Sequence, residues 1–426
     1  MKCSPGFLIS DRFPKYAIMP IKIYISVFLV FLTSILSAQH IRYPFPQHVN
    51  YYPGVIIPNH ISANEKNDSV IRFYFQWKNR YIRKSRCSED LYVWSENAGK
   101  NNESVSEGQG YGMIIVAYMA GADSQAHATY DALFNFYKNH PSLRNQWLMS
   151  WAQKRTCVNR KVSSASDGDI DIAYSLLLAD AQWSSAGKIN YASEARHMID
   201  AILNQEINAA TATILESNDV ESDSRDYNDM RSSDFIPSEM RAFFNASKNT
   251  AWLKSIDSCY KVFDHMQKTY SPEAGLVPDF IQGIGKNPRP AKSYYLESKY
   301  DGLYNYNACR VPWRIASDYV IYGEERSGKF LEPVNKWIQE TCSGNPDNIS
   351  AGYTLAGNDL RSRHFEALSF ISSFAVSAMV DKKNQEWLNR LWDYIIRFRL
   401  KDFDYFDNSI KLLTLIILSG NYWLPS

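Results

Sequence analysis

The chain has 426 residues, of which 45% are hydrophobic and 21% are charged, so its composition is that of a globular protein and not of a disordered one. Its 46 Lys and Arg residues balance 45 Asp and Glu residues. This balance excludes a general nucleic-acid binder, which needs a basic excess to neutralise phosphates. Aromatic residues make up 14% of the chain, which fits either a large core or a cleft lined with flat rings.

The N-terminal segment has the features of an export signal. An apolar run over residues 23–36 follows Lys22 and precedes small residues. The run is too short for a comfortable membrane span, which takes about 20 residues. We therefore predict a signal peptide over residues 1–38, with Met19 as an alternative start, and a secreted or periplasmic mature protein without membrane association. An uncleaved N-terminal anchor is the alternative.

Cysteine and histidine spacing does not favour a metal site. None of the six cysteines forms a C-x-x-C pair, and the eight histidines show no H-x-x-x-H spacing. The sequence therefore predicts neither a metal nor an organic cofactor.

Hydrophobic periodicity predicts an almost entirely helical chain. Residues 39–64 are polar and rich in proline, and we expect them to form an extended lead-in. From about residue 108 onward, apolar residues recur at helical spacing, as in the stripe from Tyr130 to Tyr137 and the longer one from Trp252 to Met266. Residues 172–183 are apolar nearly all round, as expected of a buried inner helix. Further helices are predicted near residues 189–205, 236–246, 312–322, 328–341, 364–380, 384–399 and 409–419.

The number of helices suggests an architecture. We count about eleven or twelve, with no Gly/Ser-rich linker between them, which favours one all-α domain over residues 65–426. Twelve such helices close naturally into a double ring, an (α/α)6 barrel with six helices inside and six outside. The loops at one end would then form a cleft.

A glycine-rich stretch, S-E-G-Q-G-Y-G-M over residues 106–113, precedes an apolar helix. A phosphate-binding loop would need a lysine and a preceding hydrophobic strand, and the stretch has neither. Glu107 instead places one carboxyl group among apolar residues, where its pKa would rise and it could act as a general acid. An acidic first helical turn with glycines for tight packing explains the same pattern, and spacing alone leaves both open.

Two further stretches combine charged and aromatic residues. In A-S-D-G-D-I-D-I-A, over residues 165–173, three acids alternate before an apolar helix. An EF-hand needs glycine at its sixth position, where this chain has Ile172, so helix capping or a binding site remain as explanations. The other stretch, over residues 295–314, holds Glu297, several tyrosines, Asn307 and Arg310. By itself it indicates a loop that enters a helix.

Together the three stretches resemble glycoside hydrolase family 8, the inverting endo-β-1,4-glycanases built on an (α/α)6 barrel. The resemblance extends from about residue 65 to the C-terminus. It implies that Glu107 is the proton donor, that Asp167 binds and helps to distort the sugar at the cleavage site, and that Arg310 lies beside the base. The other substrate-binding residues it implies are Trp151, Asp169, Asp234, Tyr306, Asn307 and Phe406.

One departure points to a subgroup. Many cellulase and xylanase members have Asp where this chain has Asn307, and Asn cannot take a proton from water. The chitosanase-like branch also has Asn there and places its general base, a Glu, ten residues earlier. This position corresponds to Glu297, with Asp301 as a rival for the role of general base. Members of this branch usually have, besides the Trp that corresponds to Trp151, a second Trp near the position of Val220 on which a sugar ring stacks. This chain has no Trp there, which leaves one sugar-binding subsite undefined.

The resemblance implies a monomeric, endo-acting, inverting hydrolase that cleaves β-1,4 linkages in a polysaccharide, which is chitosan, β-glucan or both. Chitosan is cationic and would suit an acidic cleft. One region offers acids for it, at Asp219, Glu221, Asp223, Asp226, Asp229 and Asp234. The alternatives are an endoglucanase or licheninase restricted to β-glucan, and an inactive glycan-binding protein, against which the intact Glu107 and Glu297 argue.

Overall fold

A computed structural model describes residues 41–96, 102–154, 161–361 and 367–425. The predicted signal peptide lies outside these ranges. Within them, no helix is both long and apolar enough to cross a membrane.

The described residues contain twelve α-helices. In chain order they are α1 (Ala63–Tyr81), α2 (Ser106–Tyr118), α3 (Ala126–Asn139), α4 (Ser166–Trp183), α5 (Tyr191–Gln205), α6 (Pro237–Ser247), α7 (Ala251–Tyr270), α8 (Val311–Tyr322), α9 (Glu325–Thr341), α10 (Leu368–Ala378), α11 (Gln385–Arg397) and α12 (Tyr405–Leu418).

The helices form two concentric rings. Each even-numbered helix packs against the next even-numbered one, and α12 packs against α2, which closes an inner ring of six. The odd-numbered helices pack outside it. Every residue of α10 is buried, whereas α11 buries only one stripe, from Trp387 to Ile395. The predicted (α/α)6 barrel is thus confirmed, and the all-round apolar helices are the inner ones.

Helix α1 was not expected from the sequence, although local signals for it exist. Ser62 caps its first turn and forms a capping box with Glu65. A buried stripe then includes Val70, Phe73 and Trp77 at helical spacing. The polar residues between these positions weaken the pattern, because an outer helix exposes most of its surface.

The extended lead-in crosses the barrel at the C-terminal ends of the inner helices. Its backbone N–H groups donate to carbonyl groups near those ends, in the pairs Arg42 to Gln182, Phe45 to Ala120, Val49 to Gly420, Tyr52 to Val320 and Ile56 to Met379. This segment covers one end of the barrel and leaves the N-terminal ends of the inner helices for a cleft.

Seven short strands lie in the connections. They are β1 (Ile82–Lys84), β2 (Leu91–Val93), β3 (Asn102–Val105), β4 (Ala152–Lys154), β5 (Met230–Arg231), β6 (Phe280–Gln282) and β7 (Arg289–Pro290). All pairings are antiparallel, β1 with β2, β3 with β4, and β6 with both β5 and β7. Strand β3 leads directly into α2, and the β5–β6–β7 sheet supports the loop that carries Glu297.

Glycines let α2 and α4 approach each other closely. A Cβ atom added to Gly168 would lie 2.7 Å from the backbone nitrogen of Glu107, and one added to Gly110 would lie 2.6 Å from the Cβ of Asp171. Real Cβ atoms do not approach backbone this closely, so these positions need glycine. The contact brings the first turns of the two helices, with Glu107 and Asp167, side by side.

We predict that Gly168→Ala lowers the free energy of unfolding by about 1–3 kcal/mol, as overpacking usually does, and lowers activity as well. The added methyl group would push α4 away from the backbone at Glu107. Gly187→Ala is the matched control, because a Cβ there meets nothing within 4 Å. Urea unfolding of both variants checks the prediction, and equal stability of the two would contradict it.

Candidate active site

The first turn of α2 presents Glu107 at the N-terminal end of the inner ring. Its Oε2 accepts a hydrogen bond from Nη1 of Arg310 at 2.6 Å, and its Oε1 accepts one from the Tyr405 hydroxyl at 2.9 Å. Burial raises the pKa of Glu107 to about 7, with the nearby Asp167 charge adding to the rise and Arg310 opposing it. A large share of this carboxyl group therefore carries a proton near neutral pH.

Asp167 lies beside Glu107 but remains ionised. Its Oδ2 accepts from Nη1 of Arg310 at 2.8 Å, and its Oδ1 accepts from the Gly168 N–H at 2.8 Å. Burial alone would raise the pKa of Asp167, but the Arg310 and Arg231 charges and these two hydrogen bonds outweigh it and lower that pKa below its usual value. The two neighbouring carboxyl groups thus differ in charge, as acid and anion roles require.

Among the residues that the structure describes, Arg310 forms hydrogen bonds with the largest number of side chains in this site. Besides Glu107 and Asp167, it donates from Nη2 to the Ser233 hydroxyl at 2.7 Å and to Oδ1 of Asn307 at 2.8 Å. Its side chain is buried, and it lies in a 3-10 turn, Ala308–Arg310, that enters α8.

A second buried ion pair lies one helical turn below. Arg314, four residues after Arg310, donates from Nη2 to Oδ2 of Asp171 at 2.6 Å, and Asp171 is four residues after Asp167. Arg314 also bonds Glu239 at 3.2 Å. Two parallel Arg–Asp pairs therefore connect α4 and the start of α8 across the barrel.

The loop over residues 291–303, here called the base loop, carries Glu297. Its Oε2 accepts from Nδ2 of Asn307 at 2.8 Å, and its Oε1 accepts from Nη2 of Arg231 at 3.2 Å. The Glu297 side chain is 46% exposed. Asn307 donates to Glu297 and accepts from Arg310, so one amide connects this carboxylate to the guanidinium that holds Glu107.

Asp301, the rival of Glu297, has a different environment. It is only 1% exposed, and its carboxylate accepts three backbone N–H groups, from Leu296, Glu297 and Ser298, at 2.7–3.0 Å. These bonds occupy both of its oxygens, so it is Glu297 that faces solvent.

Three predicted aromatic residues differ in accessibility. Trp151 is 42% exposed, and its carbonyl oxygen accepts the N–H of Ser106, next to Glu107. Phe406 and Tyr306 are partly buried and contact each other edge to face, with ring centroids 6.3 Å apart. The Phe406 ring also lies 5.7 Å from the Arg310 guanidinium. Trp151 offers an open ring, while the other two lie next to the charged centre.

Two predicted substrate-binding acids, Asp169 and Asp234, are fully buried. Asp169 accepts the Met149 N–H at 2.9 Å, and its carboxyl group pairs with that of Glu206. Asp234 lies 3.8 Å from Nη1 of Arg231. Burial raises the pKa of Asp169 and of Asp234 well above the usual value. Asp169 thus fixes the segment that precedes Trp151.

Sequence reasoning missed Tyr405 and gave no separate role to Arg231 or Ser233. Tyr405 begins the last inner helix, almost 300 residues after Glu107, and no local pattern pairs the two. Arg231 lies within reach of Glu297, Asp167 and Asp234. A search for carboxylate motifs overlooks these three residues, because they are not acids themselves and only contact the acids or Arg310.

Comparisons with known proteins identify the family of this chain. The model of glycosyl hydrolases family 8 matches residues 60–420. The chain belongs to this family. A beta-glucanase of Niallia circulans is 40% identical over 89% of this chain and 91% of its own length, and an endoglucanase of Bacillus sp. (strain KSM-330) is 40% identical over 90% and 82%. The solved apo structure of a β-1,3-1,4-glucanase from Paenibacillus sp. X4 superimposes with a TM-score of 0.85 at 38% identity, over 90% of this chain and 99% of that one.

Membership of family 8 makes the protein a glycoside hydrolase. The site has what that reaction class needs: a protonated carboxyl group, a second carboxylate beside it, and a more exposed carboxylate on another element. No group of three or more His, Cys, Asp or Glu side chains in the described ranges is arranged to hold a metal ion.

We predict that Tyr405→Phe shifts the alkaline limb of the pH–kcat/KM profile to higher pH. The Tyr405 hydroxyl bonds the ionised form of Glu107 and so lowers its pKa. Without that bond the proton stays on Glu107 to higher pH, and the form that acts as an acid persists. The profile of purified wild-type and variant enzyme on a soluble glucan checks this. A limb that is unmoved or shifted to lower pH would contradict it.

Proposed function

We propose that this family 8 hydrolase is an endo-acting, inverting enzyme that cleaves β-1,4 linkages in β-glucan, with Glu107 as general acid and Glu297 as general base. The observation that carries the proposal is the connection Glu107–Arg310–Asn307–Glu297. It joins a carboxyl group that is only 15% exposed and has a pKa of about 7 to an exposed carboxylate on a separate loop.

The acid step follows from the environment of Glu107. Its proton passes to the glycosidic oxygen as the bond to the anomeric carbon breaks, so the leaving sugar departs as a neutral alcohol. Positive charge develops on the sugar ring in the transition state. The ionised Asp167, held by Arg310, stabilises that charge and binds the ring at the cleavage site.

The base step is assigned to Glu297 because Asn307 has no carboxylate and Asp301 is occupied by backbone amides. Glu297 accepts from two side chains but stays half exposed, which leaves room for a water molecule. It takes a proton from that water as the oxygen attacks the anomeric carbon from the face opposite to Glu107. The product then has the inverted configuration.

The choice of β-glucan rests on relatives named beta-glucanase, endoglucanase and β-1,3-1,4-glucanase. Chitosan is the second candidate. Of the six acids that could form an acidic region, Asp229 and Asp234 are buried, while Asp219, Glu221 and Asp223 are exposed. Glu221 pairs with Arg144 and Glu297 pairs with Arg231, so Asp219 and Asp223 supply the exposed negative charge that suits a cationic sugar polymer. The chitosanase-like branch remains part of the proposal.

Export from the cytoplasm is also part of the proposal. Cys87 is in a disulfide bond, which persists in oxidising compartments such as the periplasm or the cell exterior. Cys259 and Cys309 are buried free thiols. A polysaccharide substrate is too large to enter a cell, so a secreted or periplasmic monomer fits the activity.

We predict that Glu107→Gln and Glu297→Ala each lower kcat by about 10²–10⁴-fold, the usual contribution of a general acid or base. Azide should restore turnover to Glu297→Ala. It attacks the anomeric carbon as the glycosidic bond breaks, Glu107 gives its proton to the leaving oxygen, and an α-glycosyl azide forms. Glu332→Gln, an exposed carboxylate on outer helix α9, serves as the control.

The outcome that would contradict these roles is a Glu297→Ala variant with near wild-type kcat, or a Glu107→Gln variant that keeps more than about half of the activity, well above the range for a lost general acid. Circular dichroism of each variant confirms that the fold is intact before kinetics are compared.

A substrate panel tests the specificity. We expect reducing-sugar release from lichenan and carboxymethylcellulose, and from chitosan if the acidic surface contributes to binding. Glu107→Gln, assayed in parallel, reveals any contaminating activity. Release from xylan alone would overturn the choice of glucan, and no release from any of the four polymers would favour the glycan-binding alternative.

A further inference from the structure

Both ends of the base loop are tied to strand β6. The Ala291 N–H donates to the Phe280 carbonyl at 3.0 Å, and the Phe280 N–H donates to the carbonyl of Asp301 at 2.9 Å. The Leu303 carbonyl accepts from Asp279 at 2.8 Å. The loop therefore leaves and rejoins the barrel at one point, and Asp301 is part of that attachment.

The tip of the base loop has little apolar packing to hold it. Tyr294 is 74% exposed and Leu296 is 54% exposed. Tyr294 also has φ of 56°, in the left-handed region that bulky residues rarely adopt, and its N–H donates to the Ser298 carbonyl at 2.8 Å. Tyr295 packs its ring against Phe280, with ring centroids 5.6 Å apart, and hydrogen bonds must fix the rest of the backbone here.

Asp301 supplies most of those bonds. Its Oδ2 accepts from the N–H groups of Leu296 at 2.7 Å and Glu297 at 3.0 Å, and its Oδ1 accepts from Ser298 at 2.7 Å. Its main chain is anchored to β6, so this one residue connects three consecutive amides of the tip to the sheet. The middle amide belongs to Glu297.

We propose that Asp301 is the positioning residue for Glu297. Its carboxylate fixes the backbone on both sides of Glu297, and the side chain then reaches Asn307 and Arg231 in the orientation that water activation needs. Asp301 touches neither substrate nor water in this scheme. The proposal rests on the role of Glu297 as general base.

The test uses the full-length enzyme with Asp301→Asn and Asp301→Ala. Asn has the shape of Asp, but its NH2 group cannot accept a hydrogen bond from a backbone N–H. Ala removes all three hydrogen bonds. We expect kcat to fall by about tenfold for Asn and about 100-fold for Ala, as a displacement of a catalytic group by about 1 Å can cause. KM should stay within about twofold, because the groups that bind the sugar are unchanged.

Azide distinguishes a displaced base from general damage to the site. It should raise the turnover of both Asp301 variants and of Glu297→Ala, with α-glycosyl azide as product, and should not raise that of Glu107→Gln. Asp68→Asn, an exposed acid on outer helix α1, is the matched control and should behave as wild type.

The outcomes separate this proposal from the proposed function. If Glu297→Ala stays active, the base assignment falls and this inference falls with it. If Glu297→Ala is inactive and both Asp301 variants have wild-type kcat, the positioning role alone is wrong. Loss of activity without azide rescue, or failure of both Asp301 variants to fold by circular dichroism, would also overturn it, because Asp301 would then support the fold and not the base.

Discussion

The buried guanidinium of Arg310 is the interaction on which the site depends. A buried charge costs several kcal/mol unless it is paired and hydrogen-bonded, and Arg310 meets two carboxyl groups, a hydroxyl and an amide. The buried Asp167 and the largely buried Glu107 share this one cation. Asp167, which has further donors, takes the negative charge, and Glu107 keeps its proton more readily. The pKa of Glu107 is therefore raised while that of Asp167 is lowered.

The barrel makes this arrangement possible. Inner helices bring their first turns together at one end, while the lead-in covers the other end. Glycines at 110 and 168 let α2 and α4 approach until Glu107 and Asp167 are neighbours. The Arg314–Asp171 pair repeats the Arg310–Asp167 pair one turn deeper and supports it from below. Inner helices therefore hold Glu107, the proposed acid, while Glu297, the proposed base, lies on a loop that hydrogen bonds hold in place.

Much of the fold could be predicted from periodicity, because inner and outer helices differ in how much apolar surface they bury. Helix α1 could not, since polar residues interrupt its stripe. Within the site, the motifs pointed to Glu107, Asp167 and Arg310, and the change to Asn307 pointed to Glu297. The alternating acids at 167, 169 and 171 were harder to interpret. Successive helical residues turn by about 100°, so Asp169 faces away from the other two and bonds Met149 instead. The bond of Tyr405 to Glu107 is a tertiary contact that no local pattern encodes. The bonds of Asp301 are local, to residues three to five positions earlier, but they depend on a loop conformation that periodicity does not predict.

The stereochemistry of the first product tests the central claim most directly, namely that Glu107 and Glu297 act from opposite faces of the sugar. Proton NMR recorded during the first minutes of hydrolysis of a β-linked oligosaccharide distinguishes the two anomers before they equilibrate. The account predicts that the α-anomer forms first, because water held by Glu297 attacks from the face opposite to the leaving group. Initial formation of the β-anomer would mean that a carboxylate attacks the sugar directly, and would contradict the account.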